Sequence, residues 1–216
     1  MMHKITTRNV SVNVAKVVTL LCLLSLPFLY EVHARQAVYL AMHVSYCAWY
    51  LLKQAILRET VFRERDSARE FVMVVAVVGV GYALPGWLAF RNPAPVTALE
   101  LAASVSLFFF GSVINSGADV QKITALRLRP GLITDGFWAL SRNINYFGDL
   151  MRYSTFALLS GSAWSWLVVL FVLSNNLDRM RKKAVSLSRY PEYAAYQSSV
   201  PALLPWEGYA TQRRLA

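Results

Sequence analysis

Three groups of polar residues interrupt an otherwise apolar chain, and each group lies next to an apolar run. The first follows the fourth apolar run, the second is the stretch SRNINYFGDLMR at residues 141–152, and the third lies in the tail. Their polar members are, in chain order, Asn115, Asp119, Lys122 and Arg127; Arg142, Asn145, Tyr146, Asp149 and Arg152; and Asp178, Arg179, Arg181, Lys182 and Tyr193. Polar groups inside a membrane-facing chain are expensive, so their convergence indicates a functional site.

The side-chain types of these groups favour an anionic, nucleotide-like cofactor. Guanidinium and ammonium groups bind phosphates, and amide, carboxylate and phenol groups bind ribose, nicotinamide or adenine. Asn115 and Asp119 are four residues apart, so they share one face if the helix of the fourth run continues through them. The alternative is purely interfacial: Asn115 and Asp119 end a helix, Arg142 and Arg152 reach lipid phosphates, and RMRKK flanks a membrane span.

The composition predicts one integral membrane domain over residues 1–216. Of the 216 residues, 56% are hydrophobic and only 16% are charged, which is more apolar than a soluble domain of this size. The net charge of +10 does not indicate nucleic-acid binding, because Lys and Arg lie at the ends of hydrophobic runs and form no basic face. Cys22 and Cys47 both lie in apolar runs, so we expect neither a disulfide framework nor a metal site.

Six apolar runs predict an all-α polytopic bundle of about six transmembrane helices. The runs cover about residues 16–30, 36–57, 71–90, 96–114, 146–159 and 163–177. The first run follows Lys4 and Arg8, as in a signal peptide, and VHA at 32–34 resembles a cleavage site. Glu31 and His33 favour a retained anchor instead.

The distribution of Lys and Arg predicts that both termini are cytoplasmic. If the helices alternate in direction, Arg35 and Arg91 are the only Lys or Arg residues in the short loops of the opposite side. By the positive-inside rule, the polar segment 115–149 then faces the cytoplasm, in either a bacterial inner membrane or the endoplasmic reticulum.

Three motifs, in order over residues 114–206, carry a resemblance to a known family. SRNINYFGDL resembles the R-x-x-N-Y-x-G-D/E motif of membrane sterol reductases and steroid 5-alpha-reductases, and GFWALSRNINYFGDLM is similar to its sterol-reductase form. The preceding GADVQK resembles their G-A-N/D-x-Q-K segment. The tail YPEYAAYQSSVPALLPW resembles their closing Y-x-x-Y-x-x-x-V-P-x-L-x-P pattern.

The resemblance implies that residues 111–216 bind NADPH and that residues 1–110 form the helices on the substrate side. Hydride would pass to a carbon–carbon double bond of a steroid-like, sterol-like or other lipid substrate. The implied cofactor-binding residues are Asn115, Asp119, Lys122, Arg142, Asn145, Tyr146, Asp149, Asp178, Arg179 and Tyr193, with Trp138 packed beside them.

The chain departs from the family at two places. Asn143 and Ile144 replace the histidine and proline of the frequent form R-H-P-N-Y. The stretch YCAWYLLKQAIL resembles the early helix of steroid 5-alpha-reductases, in which a glutamate and a tyrosine polarise the substrate ketone, but Lys53 stands near the glutamate's place.

The early helix nevertheless offers a catalytic face. His43, Tyr46, Tyr50 and Lys53 recur at helical spacing, where they can activate a carbonyl or supply a proton. Hydride addition to a double bond needs either a conjugated carbonyl or prior protonation by a strong acid. Both routes need a proton donor, for which Tyr46 and Tyr82 are the candidates; the alternative is that both belong to the interfacial aromatic belt.

Two other functions remain open. Isoprenylcysteine and phospholipid methyltransferases share a similar carboxy-terminal hairpin but bind S-adenosylmethionine, and the N-Y-x-G-D form and the Q-K segment fit reductases better. A degenerate member acting as a membrane scaffold would bind neither cofactor. We expect a lipid-like substrate and membrane lipids as partners, no nucleic acid, and leave the oligomeric state open.

Overall fold

The computed structural model describes residues 4–57 and 65–205. The basic residues at 58–64, which entered the prediction of orientation, and Trp206 of the tail motif lie outside the described residues. The α-helices of the described part are α1 (Arg8–Ser25), α2 (Ala34–Leu57), α3 (Ala68–Val74), α4 (Leu84–Arg91), α5 (Ala98–Leu128), α6 (Phe137–Leu140), α7 (Ile144–Ser160), α8 (Trp166–Leu187) and α9 (Tyr193–Ser199). Two short strands, β1 (Lys4–Thr7) and β2 (Arg65–Ser67), pair antiparallel.

The predicted all-α membrane bundle is confirmed. Within the described residues, three helical segments are long and apolar enough to cross a bilayer: Arg8–Phe28, Ala68–Arg91 and Ala98–Leu128. The other long helices, α2, α7 and α8, have 24, 17 and 22 residues. The count of about six spans and the cytoplasmic placement of both termini stay predictions.

The chain divides into two compact units, which are described separately. The first contains Met1–Ser104 and Phe156–Val168, and the second contains Val105–Thr155 and Val169–Ala216. The predicted division into substrate-side helices at 1–110 and a cofactor half at 111–216 stays a prediction.

In the first unit, the β1–β2 pair fixes the starts of α1 and α3. Ser67 forms a capping box with Glu70, because its side chain accepts from the Glu70 N–H and the Glu70 carboxylate accepts from the Ser67 N–H. Such a box satisfies two N–H groups that a helix start otherwise leaves unpaired. Asp66 is buried beside it and accepts from Nε of Arg8 at 2.7 Å, so a charge pair links the two helix starts.

The segment between α3 and α4 departs from α-helical geometry. Residues Val75–Val80 form a π-helical turn and Gly81–Ala83 a 3₁₀ turn. Pro85 lies in the first turn of α4, where its missing N–H costs nothing. The hydroxyl of Thr19 on α1 donates to the carbonyl of Gly79 at 2.8 Å, so the π turn is bonded to the neighbouring helix.

Arg35 joins three parts of the first unit at the start of α2. Its side chain is buried and donates to the carbonyl oxygens of Leu159 at 2.8 Å and Ala94 at 3.1 Å. The segment SGSA at residues 160–163, where α7 ends, turns tightly at Gly161, whose φ is 64°. The buried guanidinium therefore satisfies carbonyls at the end of α7 and in the loop after α4.

In the second unit, α5 and α7 touch through their backbones. A Cβ atom on Gly148 would lie 2.7 Å from the carbonyl oxygen of Gly111 and 2.7 Å from the backbone nitrogen of Asn115. Small residues allow such close helix packing in membranes. The 31 residues of α5 span about 46 Å at 1.5 Å per residue. The helix therefore continues well past its apolar part. Asn115 and Asp119 both lie on its buried side, as expected.

Candidate functional site

A cavity of about 170 Å³ in the second unit is lined by residues of the second and third polar groups. Its wall is formed by the residues just before α7, by α8 and by the tail. Its lining residues are Arg142, Asn143, Met180, Arg181, Lys183, Ala184, Leu187, Tyr193 and Ala202. Two predicted cofactor residues, Arg142 and Tyr193, are thus brought together.

Arg142 is held rigidly at the cavity. Its backbone N–H donates to the carbonyl of Pro201 at 2.9 Å, and its Nε donates to the carbonyl of Val200 at 2.9 Å. One Nη donates to the hydroxyl of Tyr193 at 3.3 Å. A planar guanidinium fixed in this way keeps further donors available for an anion.

Asn143 and Lys183 complete the wall of the cavity, and neither was predicted as a site residue. Asn143 is buried and donates from Nδ2 to the carbonyl of Ala202 at 2.8 Å. Lys183 donates from Nζ to the carbonyl of Arg142 at 2.6 Å and to Oδ1 of Asn143 at 3.2 Å. Asn143, where the resembled family often has histidine, therefore links the tail to α8.

The ammonium group of Lys183 has a lowered pKa. Desolvation by burial is the main reason that its pKa falls to about 7, and the nearby positive charges of Lys122 and Arg142 lower it further against the opposing effect of Asp119. Nζ lies 4.2 Å above the ring of Trp138. A neutral amine still has two hydrogens for its two acceptors, so the hydrogen bonds of Lys183 persist after it loses its proton.

Trp138 is 4% exposed on the short helix α6. The side chain of Gln121 on α5 holds the start of this helix, because it accepts from the N–H of Phe137 at 3.0 Å and donates to the carbonyl of Asp135 at 3.0 Å. The carbonyl of Trp138 accepts from the hydroxyl of Tyr196 at 2.7 Å. Burial raises the pKa of Tyr196, so this hydroxyl remains a donor.

A polar network joins α5 to the start of α7. Asn115 donates to the carbonyl of Asn145 at 3.0 Å, and Asn145 donates to Oδ1 of Asp119 at 3.3 Å. Lys122 forms an ion pair with Asp119 at 3.7 Å. The first and second polar groups of the sequence, which are about 25 residues apart, are therefore in direct contact.

Tyr146 lies among the remaining predicted charges. The charged groups of Arg179, Lys122, Asp149 and Asp119 all act electrostatically on its hydroxyl. Asp149 also forms an ion pair with Arg152. Arg179 of the third group is thereby placed near the first two groups.

Asp178 is placed differently. Its side chain is 59% exposed and forms an ion pair with Lys182 at 2.7 Å, one turn further along α8. It does not line the cavity. Exposed pairs of this kind contribute little to stability.

Some buried polar atoms of the second unit have no hydrogen-bond partner within the described residues. Among them are Nε1 of Trp138, Oδ1 of Asn145 and Nδ2 of Asn176. Native proteins pair nearly all buried polar atoms with protein, water or ligand. Asn176, on α8, carried no motif in the sequence and was not predicted as a site residue.

The predicted catalytic tyrosines lie in the first unit, around a lysine that the sequence did not single out. Lys16 of α1 is 2% exposed and donates from Nζ to the hydroxyl of Tyr46 at 3.0 Å. Nζ also lies 4.9 Å from the ring centroid of Tyr82 and 5.6 Å from that of Tyr50. Lys53, the third predicted catalytic residue, is buried two turns after Tyr46 on α2.

A histidine adjoins this cluster. His43 stacks on Phe156 with ring centroids 4.0 Å apart, and its Nδ1 lies 2.8 Å from the hydroxyl of Tyr39. Both Tyr39 and His43 are buried in the first unit. The face of α2 that the sequence predicted as catalytic is therefore an interior face.

Comparison with known proteins gives one family and two similar curated proteins. The family described as Protein of unknown function (DUF1295) matches residues 4–200. A Delta(14)-sterol reductase of Arabidopsis thaliana is 24% identical over 182 residues, which are 74% of this chain and 49% of that protein. A Delta(14)-sterol reductase of Methylotuvimicrobium alcaliphilum is 25% identical over 199 residues, which are 80% of this chain and 47% of that protein. The chain spans about half the length of these relatives.

Proposed function

Since the chain belongs to the DUF1295 family, which is steroid 5-alpha-reductase-like, we propose that it is an NADPH-dependent membrane reductase. Its substrate is a steroid-like, sterol-like or other lipid with a carbon–carbon double bond. The observation that carries the proposal is the convergence of Arg142, Lys183 and Tyr193 on one cavity. The names of the two sterol reductase relatives support the same reaction class.

The residues of the second unit fit a dinucleotide phosphate. Arg142, Arg181 and Lys183 line the cavity and suit phosphate groups. The unpaired atoms of Trp138 and Asn145 suit the polar groups of a ribose or a carboxamide. Whole drug-sized ligands occupy roughly 300–1,000 Å³, so the cavity of about 170 Å³ matches a phosphate with its sugar and not a whole dinucleotide.

The chain's own residues then have separable roles. When bound, NADPH supplies the hydride. Arg142 holds a phosphate, and its bonds to the tail keep the guanidinium oriented. The network of Asn115, Asp119 and Asn145 holds the start of α7 in place.

In this proposal a buried tyrosine supplies the proton. Tyr46 and Tyr82 are buried tyrosines, and a phenol is a weak acid that protonates an oxygen far more readily than an alkene carbon. A conjugated carbonyl is therefore the substrate group that best suits these donors, because its oxygen receives the developing charge. Lys53 would assist by polarising that carbonyl in place of the family's glutamate.

The membrane supplies the substrate, and the cytoplasm supplies the cofactor. The first unit contains apolar membrane-crossing segments, which suits lateral entry of a lipid between the early helices. The positive-inside distribution of Lys and Arg supports a cytoplasmic position for the cofactor half.

Ligand-dependent thermal stabilisation of the detergent-purified protein tests the proposal. A ligand that binds only the folded state raises the unfolding midpoint, so we expect a shift with NADPH and none with S-adenosylmethionine. Arg142→Ala is expected to reduce the NADPH shift, whereas Arg189→Ala, which removes an exposed arginine stacked on Tyr190, keeps it.

The other outcomes name the competing functions. A shift with S-adenosylmethionine alone would assign the protein to the methyltransferases. No shift with either ligand would favour a scaffold. With NADPH bound, consumption of NADPH in the presence of enone steroids identifies the substrate class.

A further inference from the structure

Three cationic side chains, Arg142, Arg181 and Lys183, line the cavity of the second unit. Within the described part of the chain, the lining residues of this cavity include no carboxylate. Asp119, the acidic group that acts electrostatically on Lys183, is itself paired with Lys122 at 3.7 Å. The wall of the cavity therefore carries an excess of positive charge, and a ligand with more than one negative charge is the one that would balance it.

The protein uses only some of the hydrogen-bond donors of these cations. The ammonium of Lys183 has three hydrogens, and two of them bond to the carbonyl oxygen of Arg142 and to Oδ1 of Asn143. The guanidinium of Arg142 has five hydrogens, of which one bonds to the carbonyl of Val200 and one to the hydroxyl of Tyr193. Both cations are thus held in place and keep donors for a ligand, which lowers the entropic cost of binding an oxyanion.

The buried ammonium of Lys183 is disfavoured while no anion lies beside it. Desolvation, together with the positive charges of Lys122 and Arg142 and against the effect of Asp119, lowers its pKa to about 7. A negative charge next to Nζ favours the ammonium form and reverses this effect. The electrostatics of the cavity therefore agree with its geometry in favouring an anionic ligand.

A phosphate monoester matches this wall better than the phosphates of a pyrophosphate bridge. A monoester has a charge of about −2 near neutral pH and three acceptor oxygens, whereas each phosphate of the bridge carries one charge. The cavity of about 170 Å³ holds one phosphate with its sugar, and not a pyrophosphate with a ribose on either side. Met180 and Leu187 form an apolar part of the wall, which suits the faces of the attached ribose and base.

We propose that this cavity holds the phosphate monoester on the adenosine ribose of NADPH, and that Lys183 thereby selects NADPH over NADH. The inference rests on the proposed function and adds to it the position of one end of the cofactor. NADH has a hydroxyl where NADPH carries this phosphate, so NADH lacks the group that the cavity binds. Lys183 donates to the phosphate through its remaining hydrogen, while Asn143 keeps the ammonium in place.

Calorimetric titrations of the detergent-purified protein with NADPH, NADH and adenosine 2′-monophosphate test the selection. The last probe has the ribose and its phosphate but no pyrophosphate, so it isolates the group in question. At about pH 6.5, where Lys183 is mostly an ammonium, we expect Lys183→Met to weaken NADPH and adenosine 2′-monophosphate by about tenfold or more, the worth of a charge-assisted hydrogen bond. The dissociation constant of NADH is expected to change by less than about twofold.

Arg189→Met is the matched control for the loss of one positive charge. Arg189 follows the end of α8, stacks on Tyr190 and does not line the cavity, so this variant keeps the wild-type ratio of NADH to NADPH dissociation constants. Equal losses for NADPH and NADH in Lys183→Met, or an unchanged NADPH affinity, overturn the proposal. If NADH binds too weakly to titrate, unchanged binding of adenosine 2′-monophosphate in Lys183→Met overturns it instead.

Arg181→Met covers the case in which Lys183→Met does not fold, because Arg181 is exposed. It is expected to weaken NADPH and adenosine 2′-monophosphate several-fold and to spare NADH; equal weakening, or none, counts against the proposal. Failure of the proposed function gives a different result. The wild type would then bind adenosine 2′-monophosphate but neither bind nor consume NADPH, which supports the monoester site and overturns its assignment to NADPH, whereas binding of neither ligand overturns both.

Discussion

Lys183 is expected to make cofactor binding depend on pH near neutrality. Its pKa lies at about 7 because burial disfavours the charge, and it lines the cavity together with Arg142. A phosphate binds the ammonium form and not the neutral amine. Binding is therefore strongest below pH 7 and weakens as the pH rises through the pKa of this lysine.

The size of the effect follows from that pKa. If only the ammonium form binds, the dissociation constant grows by a factor of 1 + 10^(pH − pKa), so NADPH binds about tenfold more weakly at pH 8 than at pH 6, or about 1.4 kcal/mol. The second ionisation of a phosphate also falls near pH 6. It opposes the trend at the acidic end and acts equally on every variant.

Calorimetric titration of NADPH into the purified protein between pH 6 and pH 9 measures this dependence. Lys183→Met keeps the stem over Trp138 but cannot change charge, so its slope reports the ligand alone. Lys182→Met removes the neighbouring exposed lysine and should keep the wild-type slope. If the wild type and Lys183→Met show the same ratio of dissociation constants between pH 6 and pH 8, the assignment of the titrating group to Lys183 is wrong.

Three further predictions concern single contacts. Arg142→Ala should weaken NADPH binding by about tenfold or more, the worth of a charge-assisted hydrogen bond; an unchanged dissociation constant in the same titration would remove Arg142 from the site. Gly148→Ala should destabilise the protein by about 2 kcal/mol, since its Cβ would overlap the backbone of α5, and a thermal scan beside Gly81→Ala, whose nearest neighbour is 3.8 Å away, checks it. Asp66→Asn should lower the thermal unfolding midpoint by the equivalent of about 1 kcal/mol, because it removes the charge of the carboxylate that accepts from the part-exposed guanidinium of Arg8, while Glu70 remains 3.8 Å from that guanidinium; equal midpoints would show that the pair is neutral.

The sequence predicted the positions of the helices better than it predicted the contacts between side chains. Apolar runs have a fixed period and length, so the helices at 34–57 and 144–160 lie close to the predicted runs. The four-residue spacing of Asn115 and Asp119 correctly placed both on one side of a continuing helix. These features depend on local chain geometry, which the sequence carries directly.

The surroundings of Lys16 and Lys183 depend on contacts between segments that are far apart in the sequence. Lys16 stood at the edge of an apolar run and resembled an ordinary flanking charge, and only the approach of α2 and the π turn encloses it. Lys183 was one of several basic residues in RMRKK, and nothing in the sequence distinguished it from its exposed neighbour Lys182.

Motif resemblance located the second polar group but did not assign each residue. Arg142 and Tyr193 meet at the cavity, whereas Asp178 lies on the exposed side of α8 with Lys182. Asn143, which departs from the family's histidine, bonds the tail and Lys183. A motif specifies residue types at fixed spacing, and the rotation of each helix then decides which of them face inwards.

The length of α5 links this protein to the thickness of its bilayer. Its apolar part, residues 98–114, spans about 26 Å, close to the roughly 30 Å of hydrocarbon in a typical membrane. Asn115 and Asp119 follow directly, so a thicker bilayer would draw these polar groups into lipid, while a thinner one would tilt the helix. Acyl-chain length and sterol content set that thickness. They would thus change the geometry of the polar network without any lipid contacting its residues.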